Sequence, residues 1–561
     1  MSPAQLRPML FIALAFVLFL MWNQWQADYG PKPPPETVTT TPEAPPAPTE
    51  TPSALPSPAA PPTGEDVPVT PSAVSEGPEE APSTNGAVAS AEQIVTVTTD
   101  VARYYIDSAG GTLRGLDLLK YPVATDRPEE PFRLMHDQPP DLFMGQSGLL
   151  GDNAPNHKAV MTPERRTYEL GDRDNLNVVL TWTAQNGVQV RKIYEFERNK
   201  YVFTVRYEVN NTSTEPWQAR MYSQFLRTQV VQDGGIGFIY TYTGGVISSE
   251  EKPYEKIDFE DMATNNLKRD IRGGWVAMIQ HYFGGAWIPD PNVTNHYYSK
   301  ALADARYLIG TMTPSTTVAP GTTGSISMDA YIGPKIQGRM QVAAPGLERT
   351  VDYGWLWLIA HPLFLGLALI ESVIGNWGWA IIILTLLIKL AFFHLSATSY
   401  KSMARMRKLQ PRMVQLRERF GDDRAKMNQA MMELYRDEKI NPLSGCLPIL
   451  VQIPVFISLY WMLLESVELR HAPFMFWLND LASHDPYFVL PVLMGLSMLI
   501  QQRLNPAPPD PMQAKIMMAL PFVFTFFFLW FPSGLVLYWV VNNILSIAQQ
   551  WVITKRIEQS P

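Results

Sequence analysis

Cysteine is almost missing from this chain: one residue, Cys446, stands in 561. An intrachain disulfide is thereby excluded, and any soluble domain must be held by its core alone. Positive charge is not in excess either. The 45 Lys and Arg against 53 Asp and Glu leave −8, so no basic surface favours nucleic acid, and no sequence-specific nucleic-acid binding is expected. No ATP motif and no metal-ligand spacing appears, so neither a cofactor nor an enzymatic activity is expected. His136, His157, His281 and His296 read as ordinary surface or loop residues. Gly145-Gln-Ser147-Gly148 matches a nucleophile string, but it reads as a Pro/Gly loop with no partner histidine placed by the sequence. Aromatics are absent between Tyr29 and Tyr104, where 17 of the 49 prolines fall between Pro31 and Pro82. Such a stretch buries no core; residues 25–92 read as an extended, disordered tether kept solvated by acidic residues.

What is present falls into unlike parts. Arg7 followed by the apolar run Met9–Trp22 reads as a signal segment, 1–24. No small-x-small cleavage pattern follows it, which favours an uncleaved anchor with a cytoplasmic N-terminus over a cleaved peptide. From 93 to 333 the pattern turns to period two. Ile94–Thr98, Asn177–Trp182, Val188–Phe196 and Tyr201–Val209 alternate and are rich in β-branched and aromatic residues. Turn signals at Gln185–Gly187, Asn210-Asn211 and Gly234-Gly235 separate strands. An all-β, sandwich-like domain is expected.

The last third is apolar, and Lys389 organises it. Residues 377–396 are long enough, at about 1.5 Å per residue, to span a bilayer core of roughly 30 Å. Lys389 sits inside that span with no acidic neighbour three or four residues away. An ammonium there costs at least about 2.5 kcal/mol unless it meets water or a partner. It either snorkels to headgroups or faces a wet, polar cavity within a helix bundle. Thr385, Gln452, Thr525, Tyr538, Trp539, Asn542 and Asn543 are further polar residues in the spans. Each alone reads as a helix–helix hydrogen bond; together with an unpaired cation they point to a hydrated groove.

Charge sets the expected topology. Eleven Lys and Arg between Lys401 and Lys439 mark 398–440 as cytoplasmic. One crossing must precede that segment, and the Lys389 helix, 376–397, is assigned to it. Residues 352–373, with Trp355, Trp357 and a break at Pro362, then lie along the outer interface. Segment 398–440 reads as a helical hairpin turning at Gly421–Asp423. Met403, Met406, Leu409, Met413 and Leu416 face Met427, Met431, Met432, Leu434 and Tyr435 across it. Spans at 443–464, 487–502, 516–531 and 534–552 follow, linked by an outer loop at 465–486 and an inner loop at 503–515. The break at Phe531-Pro-Ser-Gly534 separates the last two. With the tail 553–561, six crossings result, both termini inside.

Four motifs in order carry a resemblance: Asn441-Pro-Leu-Ser-Gly-Cys-Leu-Pro448, Gln452-Ile-Pro454, Ser466-Val-Glu-Leu-Arg-His-Ala-Pro473 and Phe527–Tyr538. The chain resembles the YidC/Oxa/Alb membrane protein insertases, in their long Gram-negative form, over nearly its whole length. The resemblance implies a multi-domain membrane protein: an α-helical polytopic core with six transmembrane helices, plus a periplasmic all-β supersandwich-like domain. It implies an insertase and chaperone of the bacterial inner membrane. Its expected partners are membrane lipids, nascent inner-membrane proteins and the Sec translocon. The 398–440 hairpin would meet the ribosome and the signal-recognition-particle receptor. It further implies a substrate groove open to the cytoplasm and lipid, with Lys389 aligned to the family's groove cation. The groove is expected to gather Lys389, Thr385, Gln452, Tyr538, Trp539 and Asn542. Lysine where arginine is usual keeps the charge but removes the planar fork, and His394 stands where a proline is expected. A secondary transporter binding an anion at Lys389 would show paired broken helices, which the sequence does not display. An envelope scaffold is the third reading, and it would leave the groove residues free to vary.

Overall fold

A computed structural model of the chain describes residues 66–68, 93–229, 241–420, 423–438, 447–505 and 511–559. The expected anchor 1–24, nearly all of the tether, the Gly234-Gly235 turn, Gly421-Asp422 and Asn441–Cys446 lie outside the described residues.

The alternating segments pair into two large, mainly antiparallel sheets, one of eleven strands and one of nine. Ile94–Thr98 is a strand over the five residues expected. Asn175–Thr183, Gln189–Glu197 and Val202–Asn210 are neighbours in the nine-stranded sheet, followed by Thr323–Pro334. Their register aligns Val178, Tyr194, Val205 and Met328 in one row across the four strands. All four side chains are buried, as the period-two pattern requires once one face meets the other sheet. Tyr104 of the eleven-stranded sheet closes the core, 4.6 Å from the Phe196 ring and 5.6 Å from Phe203.

Several local expectations are corrected here. Gly145–Gly148 is not a loop but lies inside the strand Phe143–Leu150, where Ser147 is buried. His157 is buried, not a surface residue, whereas His281 is half-buried in a bend. Lys192, on an inward-facing strand position, is wholly buried. Its ammonium donates to the carbonyls of Gly110, Gly111 and Ser147 at 2.8, 2.9 and 3.2 Å. Three carbonyls replace the water it has lost.

Eleven helices are used below: α1 Phe259–Thr264, α2 Gln337–Ala343, α3 Trp357–Ile374, α4 Trp377–Ala391, α5 Phe393–Lys408, α6 Gln410–Phe420, α7 Arg424–Asp437, α8 Leu447–Glu465, α9 Val489–Leu504, α10 Pro511–Phe527 and α11 Ser533–Gln559. Helix α3 passes through Pro362 without a break, because a proline this near the start forfeits few helical donors. Its buried Ala360, Phe364 and Leu367 lie at helical spacing, while Leu358, Leu365, Leu369 and Val373 are exposed opposite. The Lys389 segment is not one helix. Asn376 caps α4 through the Trp379 amide, and α4 and α5 then bend by 68° around Phe392. By length and composition, α3, α11 and the bent α4–α5 pair could cross a membrane; α8, α9 and α10 contribute shorter apolar helices. Helix α11 continues through 553–559, so the expected tail is mostly helical.

The hairpin expected at 398–440 also differs in detail. Leu409, Met413 and Tyr435 form its seam with Met406, Met431 and Leu434. Met403 instead joins Ala397, Tyr400 and Ile553, so this part of α5 packs on α11 while its Met406 joins the hairpin seam; Met432 is exposed.

The β-domain meets the helices through polar groups around α2 and the segment after α8. His281 Nε2 donates to the Leu464 carbonyl at 2.9 Å. Gln337 bonds Tyr353, whose hydroxyl lies 3.2 Å from Ser466, and Arg470 donates to the carbonyls of Pro122 and Val123.

Candidate functional site

Helices α5, α8, α9 and α11 surround a cavity of about 270 Å³. Its polar lining comes from Ser396 and Ser399 on α5, Gln452 on α8, and Asn542, Asn543 and Ser546 on α11. Phe456, Tyr538 and Trp539 form an aromatic wall, with Trp539 edge-on to Phe456 at 4.3 Å. Among the described residues, no carboxylate lines it.

The polar residues hold each other rather than the bare backbone. Gln452 Nε2 donates to Asn542 Oδ1 at 2.7 Å, tying α8 to α11. Asn543 Nδ2 donates to Ser497 Oγ at 3.0 Å, tying α11 to α9. The Tyr538 hydroxyl is buried without a hydrogen-bond partner among the described residues. A donor left unsatisfied at a polar cavity is a place for water.

Lys389 reaches this site from its edge. The side chain lines a smaller crevice shared with Ser396 and Gln452. Its ammonium donates to Ser546 Oγ at 2.7 Å, and Ser546 in turn donates to the Asn542 carbonyl. Among the described residues Lys389 makes no ion pair. Of the six residues expected together, Gln452, Tyr538, Trp539 and Asn542 share the cavity and Lys389 abuts it. Thr385 does not belong: it is buried and spends its hydroxyl on the Ile381 carbonyl one turn back. A threonine in an apolar helix satisfies itself in this way and needs no partner.

Ser396, Ser399, Tyr400 and Ser546 escaped the sequence reading. Asn542 and Ser546 are four residues apart, as are Ser396 and Tyr400, which places each pair on one helix face. That spacing was the available signal. The 68° bend was not legible, and it is the bend that carries α5 across the cavity mouth.

Comparisons with known proteins address the whole chain. The YidC periplasmic domain family matches residues 94–365, and the 60Kd inner membrane protein family matches residues 369–560. A protein of Nitrosococcus oceani called membrane protein insertase YidC is 50% identical over 99% of both chains. The Methylococcus capsulatus protein of the same name is 50% identical, again over 99% of each. This chain belongs to the YidC membrane protein insertase family. A solved structure titled as an active YidC insertase with its first transmembrane domain resolved is 18% identical. It covers 82% of this chain and 92% of its own, with a TM-score of 0.39. The close relatives in sequence decide the assignment. A YidC insertase is a membrane protein, and its β-domain is the part that the family description places in the periplasm.

Proposed function

We propose that the cavity bounded by Gln452, Asn542 and Ser546, with Lys389 at its rim, is where a nascent membrane protein's polar tail leaves the cytoplasm. The carrying observation is the unpaired ammonium of Lys389, held by a neutral serine beside a carboxylate-free polar cavity. A cation so placed attracts an acidic tail without a resident anion to displace. The tail gains hydration part-way across the apolar layer, which lowers the cost of its transfer.

The apolar part of the substrate would follow the outer faces of α8 and α10. Ile453 on α8 and Ile516, Met518, Phe522 and Phe526 on α10 are exposed apolar side chains. At about 1.5 Å per residue, the 16-residue α9 and 17-residue α10 reach only roughly 25 Å. Helices that short thin a bilayer core of about 30 Å around them, shortening the crossing further. Burial of substrate side chains in lipid, at roughly 25 cal/mol per Å², then drives release. The process is binding and release, with no covalent step.

In this reading the protein sits in the bacterial inner membrane with both termini cytoplasmic and six crossings. The α4–α5 pair serves as the second crossing, and α3 lies at the outer interface with Leu358, Leu365 and Leu369 in lipid. The basic α6–α7 hairpin meets the ribosome or a targeting receptor, and the Sec translocon is a partner for larger substrates.

Proteoliposomes holding only this protein test the reading, with a single-span substrate bearing a short acidic outer tail. Wild type and Lys389→Arg should yield protease-protected product, and Lys389→Glu should lose at least about tenfold, one charge reversal against an acidic tail. Equal yields from Lys389→Glu and wild type would refute a role for the cation. No product from wild type would refute unaided insertion.

A further inference from the structure

Asp66 lies in the middle of the proline-rich stretch, yet it is seated on the β-domain 91 residues away in sequence. Its carboxylate lies 3.0 Å from His157 Nε2 and 2.6 Å from Lys158 Nζ. Its backbone carbonyl accepts from Gln224 Nε2 at 2.8 Å. The His157 side chain is only 3% exposed and that of Asp66 23%, against 54% for Lys158.

Each receiving group is oriented from behind. The Tyr222 hydroxyl accepts the His157 amide at 3.0 Å and also meets His157 Nδ1. A carboxylate only accepts, so Nε2 carries the N–H aimed at Asp66, while the Tyr222 hydroxyl holds the other ring nitrogen. Gln224 is fixed likewise: Tyr298 donates to its Oε1 at 2.8 Å, so its amide N–H₂ must face outward. Two glycines make room. A Cβ at Gly148 would lie 2.6 Å from the Tyr222 oxygen, and one at Gly110 2.1 Å from the His157 carbonyl. Donors preset in this way select a carboxylate together with the backbone carbonyl of the same residue. The carboxyl of Asp66 is correspondingly held below its ordinary range, since the His157 and Lys158 contacts outweigh burial.

We infer that His157, Lys158, Tyr222 and Gln224 form a dedicated docking site for an aspartate side chain and its own backbone carbonyl, occupied by the chain's own Asp66. The tether thereby has a second attachment. With Asp66 held at the β-domain, residues 25–65 are the chain that separates it from the first apolar segment. At about 3.3 Å per residue, the maximum reach falls from roughly 220 Å to roughly 140 Å. Docking would thus limit how far the β-domain travels from the membrane anchor.

Limited proteolysis of the full-length protein with a glutamate-specific protease tests this, because Glu50 and Glu65 both lie in the tether. Cleavage after Glu65 should be at least about tenfold slower than after Glu50, since it tracks the undocked population. Lys158→Met changes an exposed side chain that is distant from the cut in sequence and touches it only through the Asp66 carboxylate, and it should speed cleavage after Glu65 alone. His157→Gln should do so more strongly, by about tenfold, the scale of a lost charge-assisted hydrogen bond. Excess synthetic peptide spanning residues 61–72, carrying Glu65→Gln, should also expose Glu65, and its Asp66→Asn form should be about tenfold weaker. Equal rates at Glu50 and Glu65 in wild type would overturn the inference. So would protection that survives both Lys158→Met and His157→Gln, or peptides that compete equally. Peptide binding to a protein whose Glu65 is already open would assign the site to another chain and overturn occupancy in cis.

Discussion

The Lys335 ammonium lies 3.4 Å from the Glu465 carboxylate, and each side chain is only 3% exposed. One belongs to the end of the β-domain and the other to the last residue of α8. Lys335 also donates to the Thr350 carbonyl at 3.0 Å, so the pair is part of a closed polar seam. Burial presses the Lys335 ammonium below its usual range, which the facing carboxylate only partly reverses. Lys335→Met should cost the full-length protein about 3–5 kcal/mol, because it strands Glu465 without a counter-charge. Lys335→Met with Glu465→Leu should recover most of that loss. Denaturant unfolding of the four proteins in one detergent forms the double-mutant cycle; additive losses would show that the two do not act as a pair.

The same seam carries two opposed pH responses. Burial and the charges of Lys335 and Arg470 push His281 down to about 3. Its neutral form is the folded one, so its contribution is intact above about pH 6.5 and is lost as pH falls toward 3. At pH 5 the loss is roughly 2 kcal/mol, at 1.36 kcal/mol per unit. Burial pushes Glu468 up to about 7, and its Oε2 has no partner among the described residues. Its contribution runs the other way: complete below about pH 4.5 and lost as pH rises through 7. Burial pushes the neighbouring Glu465 up to about 7 as well, so the wild type should lose stability as pH rises from 5 to 7. Relative to wild type, His281→Gln should gain more stability on acidification over that window and Glu468→Gln less. Melting temperatures at pH 5, 6 and 7 measure both slopes, and parallel slopes in all three proteins would contradict the assignment.

Hydration of the groove can be separated from its charge. Gln452→Leu with Asn542→Leu removes the 2.7 Å amide pair and two polar linings while leaving Lys389 in place. Insertion of a substrate with an acidic outer tail should fall at least about tenfold, whereas a tailless apolar substrate should lose less than about threefold. The scale follows from returning even one polar group's transfer cost, about 1–3 kcal/mol, to the barrier. Equal losses for both substrates would mean that the change acts on folding.

Gly378 marks the point where α4 starts against the loop after α8. A Cβ there would lie 2.1 Å from the Phe474 ring. Gly378→Ala should destabilise the protein by about 1–3 kcal/mol through overpacking, despite alanine's better helix propensity. Adding Phe474→Ala should relieve the clash, a recovery readable as a shift in melting temperature.

Much of the fold was legible in short-range pattern. The β-strands follow alternation that only a sheet with one buried face explains, and Ile94–Thr98 was bounded to the residue. The break at Phe531–Gly534 was equally clear, since a proline there cannot continue the helix that precedes it. Other features were illegible for the same reason in each case. Lys192 and His157 look like surface residues because their partners are backbone carbonyls and a tyrosine far along the chain. Thr385 looked like a groove residue because a sequence does not reveal which face of an apolar helix meets a cavity.

By itself the sequence determined the order of the parts: a proline-rich stretch, an alternating β-domain, then apolar helices with Lys389 inside one of the apolar runs. These follow from local periodicity, from composition and from the cost of placing charge in an apolar span. Only the tertiary structure decided that α4 and α5 bend at Phe392, that Lys389 meets Ser546 at the rim of the cavity, and that Asp66 returns to the β-domain. Those depend on contacts 91 to 157 residues apart, where the geometry of packed elements, rather than neighbouring residues, chooses the partner.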